Sequence, residues 1–259
     1  SFVFLFDMKL DSHNSQLLMS TAIGEYKERL LKDGSIIKLN TNSEVEVDYT
    51  DDLRNIHLLK GEAFFEVSHD VNRPFVVYVQ NKAVRAVGTA FGVRLKDEDL
   101  EVMVSDGRVE FKTLLNETTK QSPQLSNNTE DKPKHMTQPL SEAHISPVYL
   151  DAGQSITVTP ETNKIDVNLF SKREIVREMS WQEGLLDFSS TPLSEVVSEV
   201  SRYTSLKIEI ADPALHQLTF GGIIRTGEVE SLFEALSYSF NIEVEYVNSK
   251  LVRLHQAKS

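Results

Sequence analysis

The stretch Leu59–Arg94, LKGEAFFEVSHDVNRPFVVYVQNKAVRAVGTAFGVR, decides how this chain is to be read. It divides into four short strands joined by tight turns. In the first, Ala63, Phe65 and Val67 fall on one face, and Glu62, Phe64 and Glu66 on the other. A repeat of two residues marks a half-buried strand, because successive side chains point to opposite faces of a sheet. The stretch holds no catalytic constellation.

Moving outward, the same pattern predicts strands at Tyr26–Leu31, Ile36–Asn40, Val45–Tyr49, Asn55–Leu59, Ala63–Ser68, Phe75–Gln80, Ala83–Val87, Phe91–Leu95, Glu101–Val104 and Arg108–Lys112. Turn signals separate them at Asp33-Gly34, Lys60-Gly61, Asn81-Lys82 and Asp106-Gly107. Many strands without a long helix between them argue a sandwich, barrel or solenoid, not a parallel α/β sheet. Asp33-Gly34 and Asp106-Gly107 are expected to close two-residue hairpins, where glycine accepts a positive φ. A polar tract over residues 116–147 buries too little apolar surface to offset its chain entropy, so a flexible surface insertion is expected there. Strands at Val148–Leu150, Ser155–Thr159 and Lys164–Leu169, with a turn at Pro160–Asn163, then complete the β domain.

Beyond Ser171 the period changes. Ser171 with Glu174 spells a capping box and predicts a short helix over Lys172–Met179. Thr191-Pro192 reads as a helix start, a capping hydroxyl followed by proline in the first turn. Leu193, Val196, Val197 and Val200 form one helical stripe, and Val229, Leu232, Phe233, Leu236 and Phe240 a second. Predicted strands at Leu185–Phe188, Lys207–Ile210, Leu218–Ile224, Ile242–Tyr246 and Leu251–Leu254 give the order β-α-β-β-α-β-β. The expected fold is mainly β plus α+β. A multi-stranded sandwich or solenoid-like domain over 17–170 leads through a linker helix at 171–182 to a small βαβ-βαβ domain over 183–256.

Composition narrows the function. Net charge is −12, from 27 Lys+Arg against 39 Asp+Glu, which repels phosphate backbones and argues against nucleic-acid partners. Cysteine is absent, so disulfides, thiolate metal sites and cysteine nucleophiles are excluded together. Seven histidines form no HxH or HExxH pair, and neither a metal nor a cofactor is expected. Glu62 and Glu66 share a strand face, but four residues span about 13 Å, beyond the roughly 5–9.5 Å of paired glycosidase carboxylates. They read as solvated strand positions. Phe2–Phe6 is far short of the about 20 apolar residues that cross a bilayer. It is either a first strand or the clipped end of a longer span.

Gly88-Thr89, in VGTAFGV, carries two readings. A threonine hydroxyl can attack the preceding carbonyl and give an ester that water cleaves, and glycine leaves that carbonyl open. The plainer reading is a bulge between two strands, with Thr89 satisfying a backbone group.

LKDGSIIKLN at 31–40, LKGEAFFEV at 59–67, RPFVV at 73–77, VGTAFGV at 87–93, VSDGRVE at 104–110 and LDAGQ at 150–154 occur in one order. That order resembles the periplasmic β domain of the FecR family of transmembrane anti-sigma regulators. Trp181–Leu254 resembles the short N-terminal domain shared by secretins and TonB-dependent transducers. The resemblance implies that this chain is the periplasmic part of a single-pass inner-membrane protein, with 1–16 as a membrane-proximal stub. It also implies that a sigma factor binds only a cytoplasmic segment outside these residues. Some members of that family split at a glycine–threonine bond, which Gly88 and Thr89 match. The implied partner is the signalling domain of an outer-membrane TonB-dependent transporter, with a periplasmic or membrane protease acting afterwards. Strand alternation makes Lys207, Glu209, Glu243 and Glu245 the outward candidates to meet it, by edge-strand pairing of two small open sheets. Two rival classes are an envelope binding or scaffold module without sigma regulation, and a β-sandwich enzyme acting on glycans.

Overall fold

The computed structural model describes residues 15–96, 99–114, 146–159 and 164–257. The expected N-terminal stub, most of the polar insertion and the Pro160–Asn163 turn lie outside the described residues. The β half comprises β1 (Ser15–Ser20), β2 (Lys27–Leu30), β3 (Ile36–Leu39), β4 (Glu44–Tyr49), β5 (Arg54–Glu66), β6 (Phe75–Val79) and β7 (Lys82–Ala86). It continues through β8 (Ala90–Lys96), β9 (Asp99–Asp106), β10 (Arg108–Thr113), β11 (Val148–Asp151), β12 (Gln154–Thr159) and β13 (Lys164–Leu169). Together they form one large, curled, mixed sheet.

The spine of that sheet is β5. Its first half pairs with β4 and, in parallel, with β6; its second half pairs with β3 and β8. Two leaves thus share one strand. Lys60-Gly61, expected to be a turn, is instead a bend inside a continuous strand. Gly61 has φ +78°, and a Cβ there would sit 2.3 Å from Ser43 Oγ and 2.7 Å from Ser43 Cα, so only glycine lets the leaves approach. Alternating residues of both leaves meet in one core, with Phe65 against Phe75 and Phe91 at centroid distances of 5.6 and 5.3 Å.

Asp106-Gly107 does not close a hairpin. β9 pairs with β8 and β12, whereas β10 pairs with β7 and β11, so this step carries the chain from one leaf to the other. Asp33-Gly34 does join the antiparallel pair β2 and β3, but the loop runs from Leu31 to Ser35, closed by Leu31 N to Ser35 O at 2.8 Å. Its width follows from Asp33, whose carboxylate accepts from the Ser35 backbone and hydroxyl and from Arg54. Arg54 is fully buried and donates to Asp33 Oδ2 at 2.7 Å, Ser68 O at 2.9 Å and Arg73 O at 2.7 Å. This one guanidinium ties the 33–35 turn and the 68–73 segment to the start of β5.

The C-terminal region contains α1 (Lys172–Glu178), β14 (Leu185–Pro192), α2 (Leu193–Ser201), β15 (Lys207–Ile210), β16 (Thr219–Arg225), α3 (Val229–Phe240), β17 (Ile242–Asn248) and β18 (Leu251–Gln256). The capping box forms: Glu174 N donates to Ser171 Oγ at 3.3 Å, and Ser171 N to Glu174 Oε2 at 2.7 Å. Thr191 does not cap α2. Pro192 is the N-cap with no side-chain bond, and the first free N–H, on Leu193, is taken by Leu218 O at 2.7 Å. Both expected helical stripes are buried against a two-stranded β14–β16 sheet and a three-stranded β15–β18–β17 sheet, apart from Phe240, which is partly buried.

Candidate functional site

The four residues expected to meet a partner share one surface. Residues alternate along β15 and β17, so Ile208, Ile242 and the β18 residues Val252 and Leu254 are buried while Lys207, Glu209, Glu243 and Glu245 point the other way. The register aligns Glu209 with Arg253 and Arg253 with Glu245. Lys207 meets Glu209 at 2.7 Å, Arg253 meets Glu209 at 3.1 Å, and His255 Nε2 meets Glu245 Oε2 at 2.9 Å. The hydrogen bonds from Lys207 and Arg253 hold the Glu209 carboxyl below its usual pKa. Among the described residues β15 and β17 each pair only with β18, which leaves two open edges. An open edge with unpaired backbone groups is the template that strand addition uses.

Pattern reading missed a second surface, the seam between the C-terminal region and the outer face of β3, β5 and β8. Glu62 is not a solvated strand position. Its carboxylate accepts from Arg202 Nη2 at 2.6 Å and from Asn40 Nδ2 at 2.9 Å, and its side chain is 13% exposed. Arg202 also pairs with Glu199, which accepts from Arg94 Nη2 at 2.7 Å. Tyr203 donates to Asn40 Oδ1 at 2.9 Å, Thr41 Oγ1 to Arg202 O at 3.0 Å, and Lys38 Nζ to Gln182 Oε1 at 3.1 Å. Phe64 belongs to the C-terminal core, and Trp181 stands edge-on to Tyr26. The one legible signal was Phe64, an apolar residue on an otherwise polar strand face.

Burial pushes the Glu199 carboxyl up, but Arg202 and Arg94 outweigh it and its pKa falls below the ordinary value. Glu178, at the end of α1, goes the other way. The surrounding protein and then Glu199 raise its pKa, with Arg94 opposing them. A cavity of about 560 Å³ runs along the seam, walled by Phe64, Met103, Met179, Trp181 and Phe188 beside Glu178.

Gly88-Thr89 lies where the chain leaves β7 on one leaf for β8 on the other. The step is held by Val67 N to Thr89 O at 2.8 Å and Asp70 N to Val87 O at 3.1 Å. Space, not an unusual φ, demands glycine at 88: a Cβ would sit 2.5 Å from His69 Nδ1. On the other side, a Cβ at Gly107 would sit 2.8 Å from Thr89 Cγ2 and 3.1 Å from Gly88 O. Thr89 is 6% exposed, and its Oγ1 is buried without a hydrogen-bond partner. The hydroxyl therefore does not satisfy a backbone group, as the bulge reading expected. Gly88, Thr89, His69, Ser68, Glu66 and Asp106 line a cleft of about 490 Å³.

Among the described residues no cluster of His, Asp or Glu is arranged to hold a metal, and no helix is long and apolar enough to cross a membrane.

The β leaves that carry Gly88-Thr89 and the tail that carries the open edges correspond to two known modules. The protein-family model described as FecR protein matches residues 18–110, and the one described as FecR, C-terminal matches residues 185–254. The chain belongs to the FecR family. The two modules span more than half of this FecR-family chain. Two crystal structures of a candidate anti-sigma factor from Parabacteroides distasonis share its fold. The one at 2.50 Å resolution has a TM-score of 0.67 and 23% identity over 94% of this chain and all of its own. The one at 1.65 Å has a TM-score of 0.68 and 22% identity over 93% of this chain and all of its own. No curated protein matches the chain.

Proposed function

We propose that this FecR-family chain is the periplasmic sensor part of a sigma-factor regulator, which relays the state of an outer-membrane TonB-dependent transporter by protein contact. The observation that carries this reading is the three-stranded β15–β18–β17 sheet, with an open edge on each side and Lys207, Glu209, Glu243 and Glu245 on its outer face. A transporter signalling domain of the secretin-like short-domain type adds a strand to one edge, and the charged face sets its register. Docking is passed on because α2, packed against β15, carries Glu199 in its last turn and is followed by Arg202, and the two grip the β half at the seam. Two transporter states shift the regulator only if they bind this sheet with different affinity. Proteolysis of the regulator and release of the sigma factor follow. Titrating the purified chain with the cognate signalling domain tests this: binding weakened by Lys207→Glu with Glu245→Lys is expected. Absence of binding by any part of the chain rejects it.

A second event at a different place is favoured by the orphaned Thr89 hydroxyl. The chain splits itself once between Gly88 and Thr89, Thr89 Oγ1 attacking the Gly88 carbonyl to give an ester that water opens. Buried unpartnered hydroxyls are rare enough to ask for a reason. Intact mass after expression decides it: fragments ending at Gly88 and beginning at Thr89 are expected, and none should form from Thr89→Ala.

A further inference from the structure

We propose that His69 is the proton relay for scission at Gly88-Thr89, an assignment that rests on the self-cleavage reading above. Attack by Thr89 Oγ1 releases a proton, and departure of the Thr89 amide nitrogen takes one up, so a group able to do both must stand beside the bond. His69 is that group by position: its ring is packed on Gly88 closely enough to exclude even a methyl group. It is also the one imidazole in the cleft, and its ring nitrogens make no hydrogen bond to any described residue. The Asp106 carboxylate and the Ser68 hydroxyl also line the cleft, whereas Glu66 and the Ser68 backbone are committed. Glu66 is paired with Lys38 at 2.6 Å, Ser68 N is held by Ser35 Oγ at 3.0 Å, and Ser68 O is held by Arg54.

The backbone that carries His69 is anchored although it lacks secondary structure, and the His69 side chain itself is exposed. Arg54 binds the carbonyls of Ser68 and Arg73 on either side of it, and Asp70 N binds Val87 O beside the scissile bond.

The step balances without any cofactor. As Thr89 Oγ1 bonds to the Gly88 carbonyl carbon, the imidazole takes its proton. The C–N bond then breaks and the imidazolium gives that proton to the Thr89 nitrogen, leaving Gly88 esterified to Thr89 Oγ1. One water then attacks the ester, the imidazole carrying its proton to Oγ1, and a Gly88 carboxylate and a free Thr89 amine result.

The test follows intact mass with time for the wild-type chain, His69→Ala and His69→Gln, with and without imidazole in the buffer. His69→Gln keeps most of the side-chain volume and cannot carry the proton. A slowing of at least about 100-fold is expected in both variants, the lower end of what a positioned acid–base supplies. Free imidazole should restore scission in His69→Ala, where it has room, and not in His69→Gln. Hydroxylamine should trap a Gly88 hydroxamate in the wild type. A wild-type chain that stays whole overturns the scission reading and the relay with it. Wild-type scission that proceeds equally fast in His69→Gln removes the relay alone, as does His69→Ala that remains folded, slow and unrescued.

Discussion

Arg202, just after α2, and Glu62, in the middle of β5, form a 2.6 Å ion pair across 140 positions of sequence. Neither charge is bathed in water, with side-chain exposures of 19% and 13%. Each would be costly to bury alone, and together with Glu199 and Arg94 they neutralise one another across the seam. The C-terminal region is thereby held to the face of the sheet by charge as much as by Phe64 and Trp181.

Arg202→Ala is therefore expected to destabilise the chain by about 2–4 kcal/mol, because it strips the part-buried Glu62 carboxylate of its cation and leaves Glu199 with Arg94 alone. Combining it with Glu62→Ala should recover about 1–3 kcal/mol of that loss, since the second change removes the stranded charge. Urea denaturation of the four proteins of the cycle measures this. Strict additivity would mean that the pair contributes nothing to holding the two parts together.

Acid should act first on the paired carboxylates. Burial raises Asp33, but its bonds to Ser35 and Arg54 carry its pKa below the ordinary value, and Glu199 is lowered at the seam. A carboxyl depressed in the folded state contributes stability that is complete above its unfolded pKa, about 4, and is lost as pH falls through the folded value. Thermal midpoints should hold between pH 7 and 5 and then drop below pH 4. Asp33→Asn should be less stable at pH 7, and its midpoint should change less with acid than the wild type's.

Glu178 has the opposite sign. Its pKa is raised, so its ionised form is disfavoured in the folded chain, and the cost appears as pH climbs past the unfolded value. Glu178→Gln should raise the thermal midpoint at pH 7 by a small amount, about 1 °C, since the carboxyl is reached by water through the cavity. The gain should vanish below pH 4, where both forms are neutral. A variant less stable than wild type at pH 7 would show that Glu178 is held by a favourable contact.

The strands and helices were legible because their alternation and stripes are local. Ala63, Phe65 and Val67 announce a core face, and Leu193, Val196, Val197 and Val200 a helix stripe, whatever they pack against. Residue pattern could not say which strands pair. Asp106-Gly107 has hairpin chemistry, yet β9 and β10 go to different leaves, because that choice depends on partners more than forty residues away. The weak strand β1 was missed for a related reason: SQLLMS has no strict alternation and is fixed only by β4. The outward face holding Lys207, Glu209, Glu243 and Glu245 follows from the two-residue repeat and was visible. The seam was not, since Glu62 and Arg94 look like ordinary solvated positions until a second part of the chain covers them. The orphaned hydroxyl of Thr89 was equally hidden: the motif flags the residue, and only packing against Gly107 and His69 shows what surrounds the step.

Gly61 separates the continuous strand from the turn that its Lys-Gly dipeptide suggests. A turn residue with φ near +78° accepts asparagine at small cost, because asparagine tolerates the left-handed region. In β5 the same substitution also meets the backbone that leads into β4, with a Cβ 2.7 Å from Ser43 Cα and 2.8 Å from Asn42 O. Ser43 has little freedom to withdraw, since its Oγ accepts from Glu62 N at 2.9 Å and donates to Thr41 O at 2.9 Å. Gly61→Asn should therefore be nearly as damaging as Gly61→Ala, each costing about 2–4 kcal/mol through forced separation of β4 from β5. Chemical denaturation of the two variants decides between the pictures. An asparagine variant close to wild type, beside a weakened alanine variant, would mean that φ alone matters and that β4 and β5 do not close on each other at this point.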